Sequence, residues 1–204
     1  MEAPLDAKTW PDGRRIKFAR VLKPQASSGD EFCSLEQPRT RTYEFARTPS
    51  SERLMVGIPE QGTDLVRLLA KRMGGPFRIL YVLMVGRIGS PEGRYELLGE
   101  LDEATLDVWL DWFKEALDHD GRHTLWVKCV GDGLIVYDRH ELLFIYGDVT
   151  AVRSELADLG YTEGEVRTDF EHQHSYWPDY DALERYIASS VDFRYYPLVV
   201  GSDL

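Results

Sequence analysis

The chain has 204 residues, 43% hydrophobic and 29% charged, which is enough for one sizeable core and excludes a disordered polymer. Its formal net charge of -11 argues against non-specific nucleic-acid binding and against docking on anionic lipid; basic proteins or cationic ligands suit it better. Residues 1–60 hold 10 basic and 9 acidic side chains, and residues 61–204 hold 14 and 26, so the acid excess sits in the later part.

The first fifteen residues, M-E-A-P-L-D-A-K-T-W-P-D-G-R-R, contain no apolar h-region. Segments 14–22, 41–47 and 53–58 read as strands. P-Q-A-S-S-G-D-E at 24–31 is a loop by composition, and Pro49-Ser50-Ser51 is a hairpin turn. These features predict a β-rich, Arg-rich N-terminal layer over 1–60, followed by a main α+β domain over 61–204, the two forming one compact unit. A helix follows, capped by Thr63, with Leu65, Leu68, Leu69 and Met73 on one face and Gly74-Gly75-Pro76 ending it. Segment 77–85 is almost continuously apolar and reads as a strand buried on both faces. Its apolar run is far too short to span a bilayer. Segment 94–98 is a shorter strand. Asp102 caps a second helix carrying Leu106, Trp109, Leu110, Phe113 and Leu117 at helical spacing.

Three strands come next, over 124–130, 134–137 and 141–146, turning at Gly131-Asp132-Gly133 and Asp138–His140: a meander. Gly147-Asp148 caps a helix over 149–159. Segment 165–170 is extended, Pro178 opens a last helix, and 195–200 is a final strand. The order predicts an α+β fold: a mostly antiparallel sheet with a three-strand meander and helices packed on its faces. Cys33 and Cys129 make no disulfide framework, and Cys129 sits in an apolar strand as a small hydrophobe. Together with the missing h-region, this predicts a soluble, reducing, cytoplasmic setting.

Four stretches combine into one pattern: D-G-R-H-T-L-W at 120–126, Y-D-R-H at 137–140, Y-G-D at 146–148 and H-Q-H-S-Y at 172–176. The combination resembles a family of uncharacterised bacterial proteins over roughly the C-terminal two-thirds of the chain. That resemblance implies a bacterial protein, and it carries no activity and no residue role.

The H-x-H pair, His172 and His174, would present two imidazoles to one face of an extended segment, which is how many metal sites begin. A site needs further ligands. A three-residue loop at 131–133 would pair Thr124 with His140 and bring His123 and His140 together as a rim pair bonded to carboxylates such as Asp120 and Asp138. A parallel strand over 165–170 would then carry His172 and His174 to the opposite end, beside Asp132 and Asp148. The sequence therefore nominates His172, His174 and Asp148 as the metal candidate and disfavours a cluster with His140. The plainer reading makes Asp148 a helix cap and Asp132 a turn residue, with Tyr176 and Trp177 packed inward before Pro178. No Ser or Cys stands in a nucleophile setting, and G-D-G-L is not a phosphate loop.

On the second helix, Glu103, Asp107, Asp111 and Glu115 follow steps of four along one line, with Trp112 beside it. Such a ridge suits capture of a basic partner; otherwise it is a solvated helix face with Trp112 in the core. These features give two expectations. The first is a non-enzymatic, immunity- or adaptor-like protein that binds a basic macromolecule through Glu103, Asp107, Asp111, Trp112 and Glu115, without a cofactor. The second is a metal-dependent hydrolase that uses zinc or another divalent ion at His172 and His174.

Overall fold

The computed structural model describes residues 2–4, 9–10, 12–22, 34–47 and 52–198. In chain order the elements are β1 (Glu2–Pro4), β2 (Phe18–Leu22), β3 (Ser34–Glu36), β4 (Thr42–Arg47), β5 (Glu52–Gly57), α1 (Gly62–Met73), β6 (Arg78–Leu83), β7 (Gly93–Leu97) and α2 (Glu103–His119). There follow β8 (His123–Lys128), β9 (Leu134–Asp138), β10 (Leu142–Tyr146), α3 (Val149–Asp158), β11 (Thr162–Glu163), β12 (His172–His174), a 3-10 turn (Pro178–Tyr180), α4 (Asp181–Ser189) and β13 (Phe193–Pro197). The loop at 24–31, the turn at 49–51, Cys33 and the end of the expected final strand fall largely or wholly outside the described residues.

Nine strands form one sheet in the order β11-β4-β5-β10-β9-β8-β6-β7-β13. Among the described residues only the β11–β4 pairing is parallel. The α+β architecture and the meander β8-β9-β10 are therefore present. Hairpins with short turns make this arrangement cheap to close, whereas parallel neighbours need a crossover. The inward residues of the central strands, among them Ile79, Tyr81, Leu125, Val127, Ile135, Leu143 and Ile145, share one core with Leu106, Leu110 and Phe113 of α2 and with buried residues of α1 and α3. Trp109 is partly buried and stacks on Phe113 at 3.9 Å between ring centres. No helix among the described residues is long and apolar enough to cross a membrane.

The segment 77–85 is not sealed on both faces. Ile79, Tyr81 and Leu83 point into the core, while Leu80 and Met84 remain half-buried on the other face of the sheet, beside hollows lined by the same strands. A second sheet, ordered β1-β3-β2-β12, has its own small core of Trp10, Ile16, Ala19 and Leu35. The described strands of the first sixty residues are thus shared between the sheets, because β4 and β5 join the large one.

The predicted strand over 165–170 is absent. β11 pairs with β4 for two residues only. Gly164 N still donates to the Tyr43 carbonyl, but Val166 N turns to the Glu44 carboxylate. Of 165–170 only Val166 is buried, so there is no apolar row to hold the segment against a sheet. The chain never climbs to the Asp132 end of the meander. Arg39 fixes it where it is, donating from Nε to the His140 carbonyl (2.9 Å) and from Nη1 to the Arg167 carbonyl (2.6 Å).

A candidate metal centre

The meander register sets the first imidazole of the candidate site. Lys128 pairs with Leu134 and Leu125 with Tyr137, so the turn at 129–133 is longer than the three residues read from sequence. At the opposite end, β9 turns into β10 through Asp138–Glu141, with Glu141 in the left-handed region at φ 56°. The Asp138 carboxylate accepts the His140 backbone N–H (2.7 Å) and makes a very short contact with His140 Nδ1. Burial opposes its ionisation, but the hydrogen bonds and charge of His140 hold Asp138 below the usual carboxylate range. With Nδ1 so engaged, His140 has Nε2 free to act as a ligand.

β12 supplies two more rings. It pairs antiparallel with β2, placing His172 opposite Arg20 and His174 opposite Phe18. The alternate residues share one side, as strand geometry requires. His172 Nδ1 lies 3.2 Å from the Phe170 carbonyl, a contact that makes Nδ1–H the donor and leaves Nε2 with a lone pair. His174 packs so closely on Gly121 that a Cβ there would sit 2.8 Å from the His174 Cβ. Both of its ring nitrogens are buried without a hydrogen-bond partner. Burial, then the neighbouring His140, Arg139 and His172, push its pKa down to about 3. It is therefore neutral and competent as a ligand at ordinary pH.

The three rings meet. The centre of the His140 ring lies 5.2 Å from that of His172 and 4.8 Å from that of His174, and the latter two are 5.4 Å apart. One ligand nitrogen from each falls within 4.8 Å of the others. Some point then lies within about 2.8 Å of all three atoms, so small ring rotations would reach the roughly 2.0–2.1 Å of a zinc–imidazole bond. The donor set fits the ion: three imidazoles, two of them with Nδ1 tied to a carboxylate or carbonyl, as ligating histidines usually are. Phe18 backs the cluster, its ring centre 5.2 to 5.3 Å from all three. In front, His140 and His172 open onto a cleft of about 630 Å³ along the face of the sheet turned away from the core shared with α1, α2 and α3, lined in part by Trp126, Val136, Phe144 and Arg139.

This overturns the sequence-level placement. Asp148 is no neighbour of His172 and His174. It caps α3, accepting from Thr150 N at 3.1 Å, and lines a hollow with Asp132 and Gly133 at the far end of the meander. The third imidazole beside this pair is that of His140, which the expected crossover had disfavoured. His123 is not a rim residue either. It is fully buried, bonded through Nδ1 to the Tyr81 hydroxyl, with Asp120 Oδ1 3.6 Å from Nε2. The spacing D-x-H in Y-D-R-H was the available signal for a carboxylate-oriented histidine.

Beneath the cluster lies a charged layer that the sequence did not announce. Lys17 is fully buried, its ammonium 2.5 Å from the Leu117 carbonyl and 4.1 Å from the Tyr137 ring centre. Glu141 accepts from Gln37 at 2.9 Å, and burial, partly offset by Gln37, Lys17 and Arg39, pushes its pKa up to about 7.

The ridge on α2 is largely paired. Asp107 meets Lys71 at 2.6 Å and Arg67 at 3.5 Å, Asp111 also meets Arg67, and Glu115 lies 3.7 Å from His119. Trp112 is not in the core: it is 70% exposed, beside Val108 at 60%. Glu103 is exposed in the first turn of the helix.

No protein-family model, curated protein or solved structure significantly matches this chain.

Proposed function

We propose that this protein is a metal-dependent enzyme of the hydrolase class, centred on His140, His172 and His174. One observation carries the reading: three imidazoles from two different sheets converge beside an open cleft, each with a nitrogen left for a ligand bond. Three protein ligands with an open fourth position is the arrangement of catalytic zinc, whereas structural zinc is closed by four. Bound there, a divalent ion would supply Lewis-acid chemistry and an activated water near neutral pH. The chain's own contribution is positional. Asp138 orients His140, the Phe170 carbonyl orients His172, Phe18 closes the back, and Gly121 lets His174 approach.

Metal analysis of tag-free protein is the decisive experiment. One equivalent of zinc or a similar ion is expected, together with hydrolysis of a chromogenic p-nitrophenyl ester that chelation abolishes and zinc restores. His140→Ala should lose the metal. Asp138→Asn should keep the stoichiometry but weaken affinity by about 10- to 100-fold, and Asp148→Ala should leave metal binding unchanged. Protein that binds no metal under any loading condition overturns the proposal.

A second reading, capture of a basic macromolecule by α2 in an immunity- or adaptor-like role, is favoured by the exposure of Trp112 and Val108 next to Glu115. Metal-free wild-type protein would leave this as the better account.

A further inference from the structure

The metal centre occupies only one end of the cleft beside it. Asp138 and His140 stand at one end of the β9 hairpin and Leu134 at the other, four strand residues from Asp138, or about 13 Å at the rise of a strand. Across the middle, Trp126, Val136 and Phe144 are in register on β8, β9 and β10 and form one apolar row. Two residues further on, Leu134, Tyr146 and Arg53 form the next row on β9, β10 and β5. The Arg53 guanidinium lies 5.7 Å from the Phe144 ring centre, and no carboxylate among the described residues pairs with it. Apart from Arg94, which is already engaged elsewhere, the charged side chains lining the cleft are Arg53 and Arg139, against the single carboxylate Asp138, which His140 already engages. In a chain of net charge -11, the described lining of this cleft has the opposite sign.

We propose that the cleft binds an elongated small organic anion. Its polar end points toward the histidines, its apolar body lies on Trp126, Val136 and Phe144, and its acidic end pairs with Arg53. The volume of about 630 Å³ suits a ligand of that size. A guanidinium resting on an aromatic ring is a suitable seat for an anion, because the ring holds the cation in place without neutralising it. The metal-centre reading is needed here only to place the reacting end of the ligand; the anion end stands on the sheet register and the charges.

The test uses two fluorescent probes of nearly the same ring system on zinc-loaded, full-length protein. 8-Anilinonaphthalene-1-sulfonate carries an anion and N-phenyl-1-naphthylamine does not. The sulfonate should bind at least tenfold more tightly than the neutral probe. Arg53→Leu should remove that difference while changing neutral-probe binding less than twofold, and Trp126→Ala should weaken both. Equal affinity of wild-type protein for the two probes overturns the inference, and this comparison needs no variant to fold. So does an Arg53→Leu protein, with its melting curve and zinc content intact, that still prefers the sulfonate. Discrimination that persists in protein unable to bind zinc supports the anion cleft and overturns the metal-centre reading instead, so the two fail separately.

Discussion

Phe113 touches both the Trp109 ring and the Tyr81 ring from α2 and is 1% exposed. Its replacement by Ala removes an aromatic ring from the middle of the core and should cost about 3–5 kcal/mol of stability, measured by urea unfolding. Gly121 matters for a different reason. A methyl group there would meet the Lys17 carbonyl at 3.1 Å as well as His174. Gly121→Ala should displace β12, lower metal affinity, and cost about 1–3 kcal/mol through overpacking; unchanged zinc affinity would show that His174 is not held by this contact. His123 gives the pH dependence. Burial, aided by Arg122 and Lys17, pulls its pKa well below 6.5. The folded ring stays neutral, while the unfolded chain takes up a proton below about 6.5. The stability due to this site is therefore full above that pH and is lost as pH falls, by up to about 1.4 kcal/mol per pH unit. Stability measured from pH 6.5 down to 5 should fall less steeply in His123→Asn than in the wild type.

At the scale of elements, α1 and α2 are clamped across their outer edge by Arg67 and Lys71 against Asp107 and Asp111, and by Lys114 against Asp64 at 2.5 Å. A line of like charges on an isolated helix is mildly destabilising, and the sequence alone suggests that reversing two of them would help folding. The α1 cations invert that expectation. Asp107→Lys with Asp111→Lys should destabilise by about 1–2 kcal/mol, since exposed pairs contribute up to about 1 kcal/mol each and the reversal adds repulsion. Thermal melts at low and high salt should show the difference shrinking as salt screens the pairs.

Over the whole molecule, the fully buried Arg122 fastens the C-terminal helix to the end of the sheet. It pairs with Asp120 at 2.9 Å and Glu184 at 2.6 Å, reaches Asp181 at 2.9 Å, and donates to the Trp177 carbonyl at 2.6 Å. Glu184 in turn accepts from the backbone N–H groups of Arg87 and Ile88. Arg122→Met would leave two buried carboxylates without their counter-ion and should cost about 3–5 kcal/mol. A smaller loss would mean that water enters the cluster.

Local pattern was enough for much of the fold. Asp102 and Asp148 cap helices because a short acidic side chain satisfies free N–H groups within a few residues of itself. The α2 face could be named because helical spacing alone decides which residues point one way. The same-side placement of His172 and His174 needed only the alternation of a strand. What local pattern could not supply was the partner of each segment. Whether the chain after α3 climbs or stays depended on Arg39, 128 residues before Arg167 in sequence, bonding its carbonyl, and on β2 offering an edge to β12. Those long-range contacts replaced Asp148 by His140 and put the histidines at the mouth of a cleft. Helical periodicity and the caps at Asp102 and Asp148 are settled by neighbours in the chain, and so the sequence determined them; Thr63, read as the cap of α1, instead lies inside the helix, which starts after Gln61, and its hydroxyl bonds to the Asp118 carboxylate from α2. A candidate ligand set drawn from a turn of one sheet and a single strand of the other is settled by which edges and buried charges find each other, and only the tertiary structure decided that.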